Sequence, residues 1–142
     1  MKTVIGLLCL LLLWASPVAA AATVGYVPMD DRPVNLEYVV DSVRAARIGI
    51  VTPSESLIAG RERPGDVPGL WQWVFAQAAT SDALVVSTDS LIYGGLVASR
   101  THELKAEELQ QRLAMFRQLK QKHPSLRLYV FGTIMRTPKM SA

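Results

Sequence analysis

Four short apolar runs, Thr23 to Val27, Ile48 to Val51, Ala83 to Ser87 and Leu126 to Phe131, recur along the chain with helix-length segments between them. Each is rich in Val, Ile, Leu and aromatic residues and bounded by Pro, Gly, Ser or Asp, the pattern of a short buried strand. The intervening segments change period. Leu36, Val39, Val40 and Val43 form one helical stripe behind an Asn35 cap, and Leu70, Trp73, Val74 and Ala78 form a second behind Asp66. A third stripe joins Ala106, Leu109, Leu113, Phe116 and Leu119. Glu107 and Glu108 stand in its first turn, Lys120, Lys122 and His123 in its last, and Pro124 marks its stop. Such alternation makes strands parallel, because each crossover returns through a helix with right-handed sense. The predicted fold is therefore α/β: alternating strand-helix units around a parallel sheet of about four strands. Both an open three-layer arrangement and a partial (β/α) barrel accommodate that number.

The residues before the first strand belong to another class. Lys2, the apolar run Val4 to Trp14 and the small residues up to Ala22 have the three regions of a secretory signal, with Ala-x-Ala cleavage choices. The run falls short of the ~20 residues that span a bilayer, and Cys9 lacks the small residues just before it that lipidation needs. Residues 1–22 are expected to be a signal peptide, and 23–142 an α/β portion exported to the periplasm or the exterior, with no membrane span after cleavage. Cys9 is the chain's one cysteine, so an exported domain would have neither disulfide nor thiol chemistry. Loss of Lys2 lowers the net charge from +3 to +2. The basic residues are spread along the chain, which argues against a nucleic-acid partner.

In parallel α/β folds all strand carboxyl ends lie on one side, so loops that follow strands converge. After the first run come Asp30, Asp31, Arg32 and Asn35; after the second, Thr52, Ser54 and Glu55; after the third, Thr88, Asp89, Ser90 and Tyr93; after the fourth, Thr133, Arg136 and Thr137. Loops that follow helices carry less of this chemistry. Asp30 or Asp31 with Asp89 or Glu55 could act as paired carboxylates in acid-base work or as oxygen ligands for a hard cation. Their plainer role is turn formation ahead of Arg32-Pro33. Arg32, Arg100 and Arg136 could clamp an anion through the planar guanidinium fork, or simply neutralise the aspartates.

Tyr93-Gly94-Gly95 forms a turn in which backbone can approach a ligand, but no Gly-Lys-Ser/Thr follows to make a phosphate loop. The charged stretch Arg61 to Gly65 reads more readily as solvated surface than as a site. His102 could move a proton; His123 suits the helix dipole. Trp71 and Trp73 read as packing. No G-x-S-x-G turn marks a serine nucleophile, and no His/Cys spacing marks zinc. Neither a cofactor nor a metal is specified by any motif.

Four stretches, "YVPMDDRPVN", "RPGDVPGLWQWV", "ALVVSTDSLIYGGLVASRTHEL" and "LRLYVFGTIMRTP", together resemble the amino-terminal part of a bacterial family known as domain of unknown function 4127. The resemblance runs from Tyr26 to Pro138 and rests on P-[LM]-D-x-R-P, D-x-[LI]-x-Y-G-G-L-[VI]-x-S-R-T-H and T-I-M-R-T. On this chain those correspond to Asp30, Arg32 and Pro33; to Asp89, Tyr93, Gly94, Gly95, Ser99, Arg100, Thr101 and His102; and to Thr133, Met135, Arg136 and Thr137. Lys105 departs from the Ser or Thr cap expected before the third helix. Members of the family run longer, so the resemblance implies the amino-terminal portion of an α/β domain, and it brings no established activity.

Taken together, the expected catalytic residues are Asp30, Asp31 and Asp89. The expected substrate-binding residues are Arg32, Asn35, Tyr93, Gly94, Gly95, Arg100, His102, Thr133 and Arg136. The expected function is a hydrolase-like enzyme acting on a carbohydrate or cell-wall-derived substrate. The alternatives are a non-catalytic module binding an anionic or polyhydroxy ligand, and an inactive fragment.

Overall fold

The structure, a computed structural model, describes residues 22–134. Residues 1–21 of the expected signal, together with Met135, Arg136 and Thr137, lie outside the described residues. The elements are β1 (Thr23–Val27), α1 (Glu37–Ala45), β2 (Gly49–Val51), α2 (Val67–Gln77), β3 (Ala83–Ser87), a π-helical turn (Asp89–Tyr93), α3 (Ala98–Thr101), α4 (Ala106–Lys122) and β4 (Arg127–Phe131). The four strands pair in the order β2-β1-β3-β4, every pair parallel. The sheet is open, with β2 and β4 at its edges, so the barrel alternative falls away. Because β1 leads outward to β2 and the chain then crosses back to β3, the winding direction reverses between β1 and β3. Crevices at such a reversal, outside the strand carboxyl ends, are where open α/β sheets receive ligands.

One face of the sheet carries the core. The register sets Val27 beside Val86 and Gly25 beside Leu84, and Val27, Leu84 and Val86 pack with Leu70, Trp71 and Val74 of α2 and Leu119 of α4. Each fully buried aliphatic side chain there contributes about 1.5–3 kcal/mol. Trp71 adds a hydrogen bond from its indole N–H to the Leu91 carbonyl at 3.0 Å and an edge-to-face contact with Phe116 at 4.8 Å. The opposite face is more lightly covered. Tyr26 stacks on Phe131 with ring centres 6.3 Å apart, and its hydroxyl donates to the Asn35 carbonyl at 2.6 Å. In α1 the stripe Leu36, Val39, Val40, Val43 is half-buried while Glu37, Tyr38, Asp41 and Ser42 are exposed.

Two local expectations change. Helix α1 has no side-chain cap, because Asn35 turns its amide towards Asp30; Asp66 does cap α2, accepting from Gly69 N–H at 3.1 Å. In α4 the expected stripe holds at Phe116 and Leu119, which face the core, but Leu113 is 51% exposed and Met115 packs inward instead. The guanidinium of Arg112 donates to the Ile92 carbonyl and pairs with Glu108 at 2.6 Å. That contact ties α4 to the π-helical turn.

Candidate functional site at the β1–β3 rim

The chain leaves β1 through Pro28 and Met29 and buries the Asp30 carboxylate to 4% exposure. A buried charge must be paired and hydrogen-bonded, and Asp30 is. Its Oδ2 accepts from Arg32 Nη2 at 2.7 Å and Nε at 3.0 Å. Its Oδ1 accepts from Asn35 Nδ2 at 2.6 Å and the Arg32 backbone N–H at 3.2 Å. Burial pushes the carboxyl pKa up, but the hydrogen bonds from Arg32 and Asn35 and the guanidinium charge outweigh it, and the net shift is downward. Asp30 is thus held in its anionic form with its lone pairs in use. The same bonds raise the Arg32 pKa and fix a guanidinium whose side chain remains 50% exposed. Asp31 differs entirely. Its backbone N–H donates to the Ala59 carbonyl at 2.9 Å, its side chain is exposed, and a methyl group on Gly60 would lie 3.1 Å from its Oδ2.

The exit of β3 is bound to the exit of β4. Asp89, also 4% exposed, accepts from the Thr133 backbone N–H at 3.0 Å and the Thr133 hydroxyl at 2.9 Å. Thr88 donates to the Phe131 carbonyl at 3.2 Å. The π-helical turn that follows, a form rare outside functional sites, ends on Gly94 and Gly95 at φ of 89° and 135°, values that side chains beyond glycine's resist. It is stitched to the exit of β1: the Ser90 hydroxyl donates to the Pro28 carbonyl, and Leu96 N–H donates to the Met29 carbonyl at 3.3 Å. Asp30 and Asp89 therefore occupy one rim on neighbouring strands. Among the described residues no hydrogen bond or ion pair joins them.

Two cavities open on this rim. The first, of about 210 Å³, is walled by loops that follow three strands: Asp30 after β1, Ala59 to Pro64 after β2, and Gly94 with Leu96 to Ala98 after β3. The second, of about 360 Å³, holds Tyr93, His102, Glu103 and Arg112. Tyr93 and His102 lie ring on ring at 4.6 Å, and His102 Nδ1 accepts from Leu104 N–H at 3.3 Å. Tyr93 and His102 are thus brought to the rim, but into the cavity beside Asp30's rather than the same one.

The remaining candidates are dispersed. Asn35 supports Asp30, and Thr133 supports Asp89. Arg100 is exposed and lines neither cavity. Glu55 lines a separate groove beside α1 with Arg44 and Asp41. Arg136 lies outside the described residues. Arg61 and Arg63, read from sequence as solvated surface, instead line the first cavity. The signal that could have found them is their position in the loop after β2, on the same rim by the parallel-strand rule. Arg63 donates to the carbonyls of Ser56 at 3.1 Å, Glu55 at 3.1 Å and Ile58 at 2.9 Å, which folds that loop. Among the described residues, no three His, Cys, Asp or Glu side chains are grouped to hold a metal ion.

The family model described as a protein of unknown function (DUF4127) matches residues 24–142. The chain belongs to this family. The match runs from the second residue of β1 through β4, and covers every residue that builds the rim of this DUF4127 member. No curated protein and no solved structure matches the chain.

Proposed function

We propose that this DUF4127 protein binds a small anionic, polyhydroxy molecule on the β1–β3 rim, with Arg32 and Arg61 as its guanidinium contacts. The observation that carries the reading is the Asp30 carboxylate, which lines the first cavity and uses its lone pairs on Arg32 and Asn35, so that it fixes a half-exposed guanidinium two residues further on. A pre-oriented guanidinium binds carboxylate or phosphate without the entropy of ordering a free side chain. Asp30 is a poor proton carrier, since its carboxyl pKa is lowered and it accepts hydrogen bonds on both oxygens, and both oxygens of Asp89 are taken up by Thr133. Carbohydrate or cell-wall-derived molecules fit this chemistry, and export by the amino-terminal signal would put the protein where they are found.

A second reading, hydrolysis, is favoured by Asp31. This exposed carboxylate accepts no hydrogen bond from any described residue and lies next to Gly60, itself a wall residue of the first cavity, so that it could take a proton from water. Calorimetric titration with galacturonate tests binding. The expected result is saturable heat that weakens roughly tenfold in Arg32→Ala; no heat with galacturonate would sink the binding reading. Release of chromophore from nitrophenyl glycosides that disappears in Asp31→Asn would select hydrolysis.

A further inference from the structure

We propose that the two rim cavities form one elongated site for a two-unit acidic saccharide, its carboxylate at Arg61 and its second ring on the Tyr93–His102 pair. The inference rests on the binding reading above and names the ligand's size and orientation.

The first argument is volume. Small-molecule sites typically enclose about 300–1,000 Å³, so the Asp30 cavity, at about 210 Å³, is undersized by itself. The neighbouring cavity holds about 360 Å³. Pro64, Ala98 and Thr101 line both, so the two are parted by a single wall with a proline ring on one side and α3 on the other. The second cavity lies within that range by itself, and the first reaches it only as an extension of the second over that wall.

The second argument is that the two ends differ in chemistry, which gives a ligand a direction. In the first cavity two of the four charged lining residues are already committed, Asp30 to Arg32 and Arg63 to three backbone carbonyls, which leaves Glu62 and Arg61. Arg61 is exposed and makes no hydrogen bond or ion pair with any described residue. A carboxylate is the natural partner for such a fork. The second cavity has one cation, Arg112, and it is taken up by Ile92 and Glu108. What this end offers is a flat aromatic surface from Tyr93 and His102, inclined 31° to each other, against which the C–H face of a sugar ring can lie. Because His102 Nδ1 accepts from Leu104 N–H, the neutral imidazole carries its proton on Nε2. That proton is a donor for a ring or hydroxyl oxygen. Glu103, in the same wall, is an acceptor for a sugar hydroxyl.

Calorimetry with digalacturonate, galacturonate and lactose tests the inference on the full chain, with thermal melts as the control that each variant folds. Digalacturonate is expected to bind roughly tenfold tighter than galacturonate. Arg61→Gln should weaken digalacturonate roughly tenfold and lactose less than twofold, and His102→Ala should bring digalacturonate to within about twofold of galacturonate. Equal affinity for digalacturonate and galacturonate, with His102→Ala silent, would overturn the joined site while leaving the binding reading intact. Failure of all three sugars would remove both. Tighter binding of trehalose 6-phosphate than of digalacturonate would overturn the carboxylate assignment in favour of a phosphate.

Discussion

Two aspartates at neighbouring strand ends are buried to the same 4%, yet they are stabilised in opposite ways. Asp30 is compensated by a full positive charge from within its own turn, whereas Asp89 is compensated by one backbone N–H and one hydroxyl reaching across from the end of β4. The first arrangement is local and leaves half of the Arg32 side chain facing outward, so it turns burial into presentation. The second joins two strands 44 residues apart and presents nothing. Equal burial of equal side chains thus marks a turn that presents a guanidinium in one place and a fastening in the other, and the identity of the donor decides which.

The largest effect that could break this contrast is expected at Asp89. Asp89→Ala would strand the Thr133 N–H and hydroxyl and release the end of β4, at a cost of about 3 kcal/mol, read as a lowered urea midpoint. An unchanged midpoint would mean that Asp89 is free for chemistry after all. A smaller loss, about 1–2 kcal/mol, is expected for Arg32→Ala, since Asn35 still donates to Asp30.

The acid limb sharpens the same comparison. The folded pKa of Asp30 is lowered from its usual 3.8, so its ionic contribution is complete above that value and is lost as pH falls through the lower folded value. Arg32→Ala removes the strongest donors and should move the onset of acid unfolding to higher pH, measured by melts between pH 7 and 2. The smallest effect belongs to Asp31→Asn, expected to stay within about 0.5 kcal/mol of the parent. A larger change would show that Asp31 is structural and remove it from any hydrolytic role.

Much of this layout is legible in the residues. The alternation of apolar runs with helical stripes predicts parallel strands, and parallel strands place the loops after β1, β2 and β3 on one rim; Asp30, Tyr93, Gly94 and His102 are found there. Asn35 was legible as a polar residue near a helix start, but its amide prefers a buried carboxylate over the exposed end of α1, because an unsatisfied buried charge costs more than an uncapped helix. Arg61 and Arg63 were obscured by the polarity of their own loop. That loop is folded on itself by the bonds from Arg63 to the carbonyls of Glu55, Ser56 and Ile58 and tied to the turn after β3 by one bond distant in sequence, from Gly65 N–H to the Gly94 carbonyl at 2.7 Å.

By itself, then, the sequence determined the α/β class, the direction of the strands and hence the side on which polar strand ends gather, since these follow from period and crossover handedness, which are local properties. Tertiary structure alone decided that the sheet is open in the order β2-β1-β3-β4, that Asp89 meets Thr133, and that two cavities adjoin across Pro64 and α3. The physical reason is that a buried polar group takes whichever donor lies within about 3 Å, and which donor that is depends on how segments distant along the chain pack, not on any spacing within it.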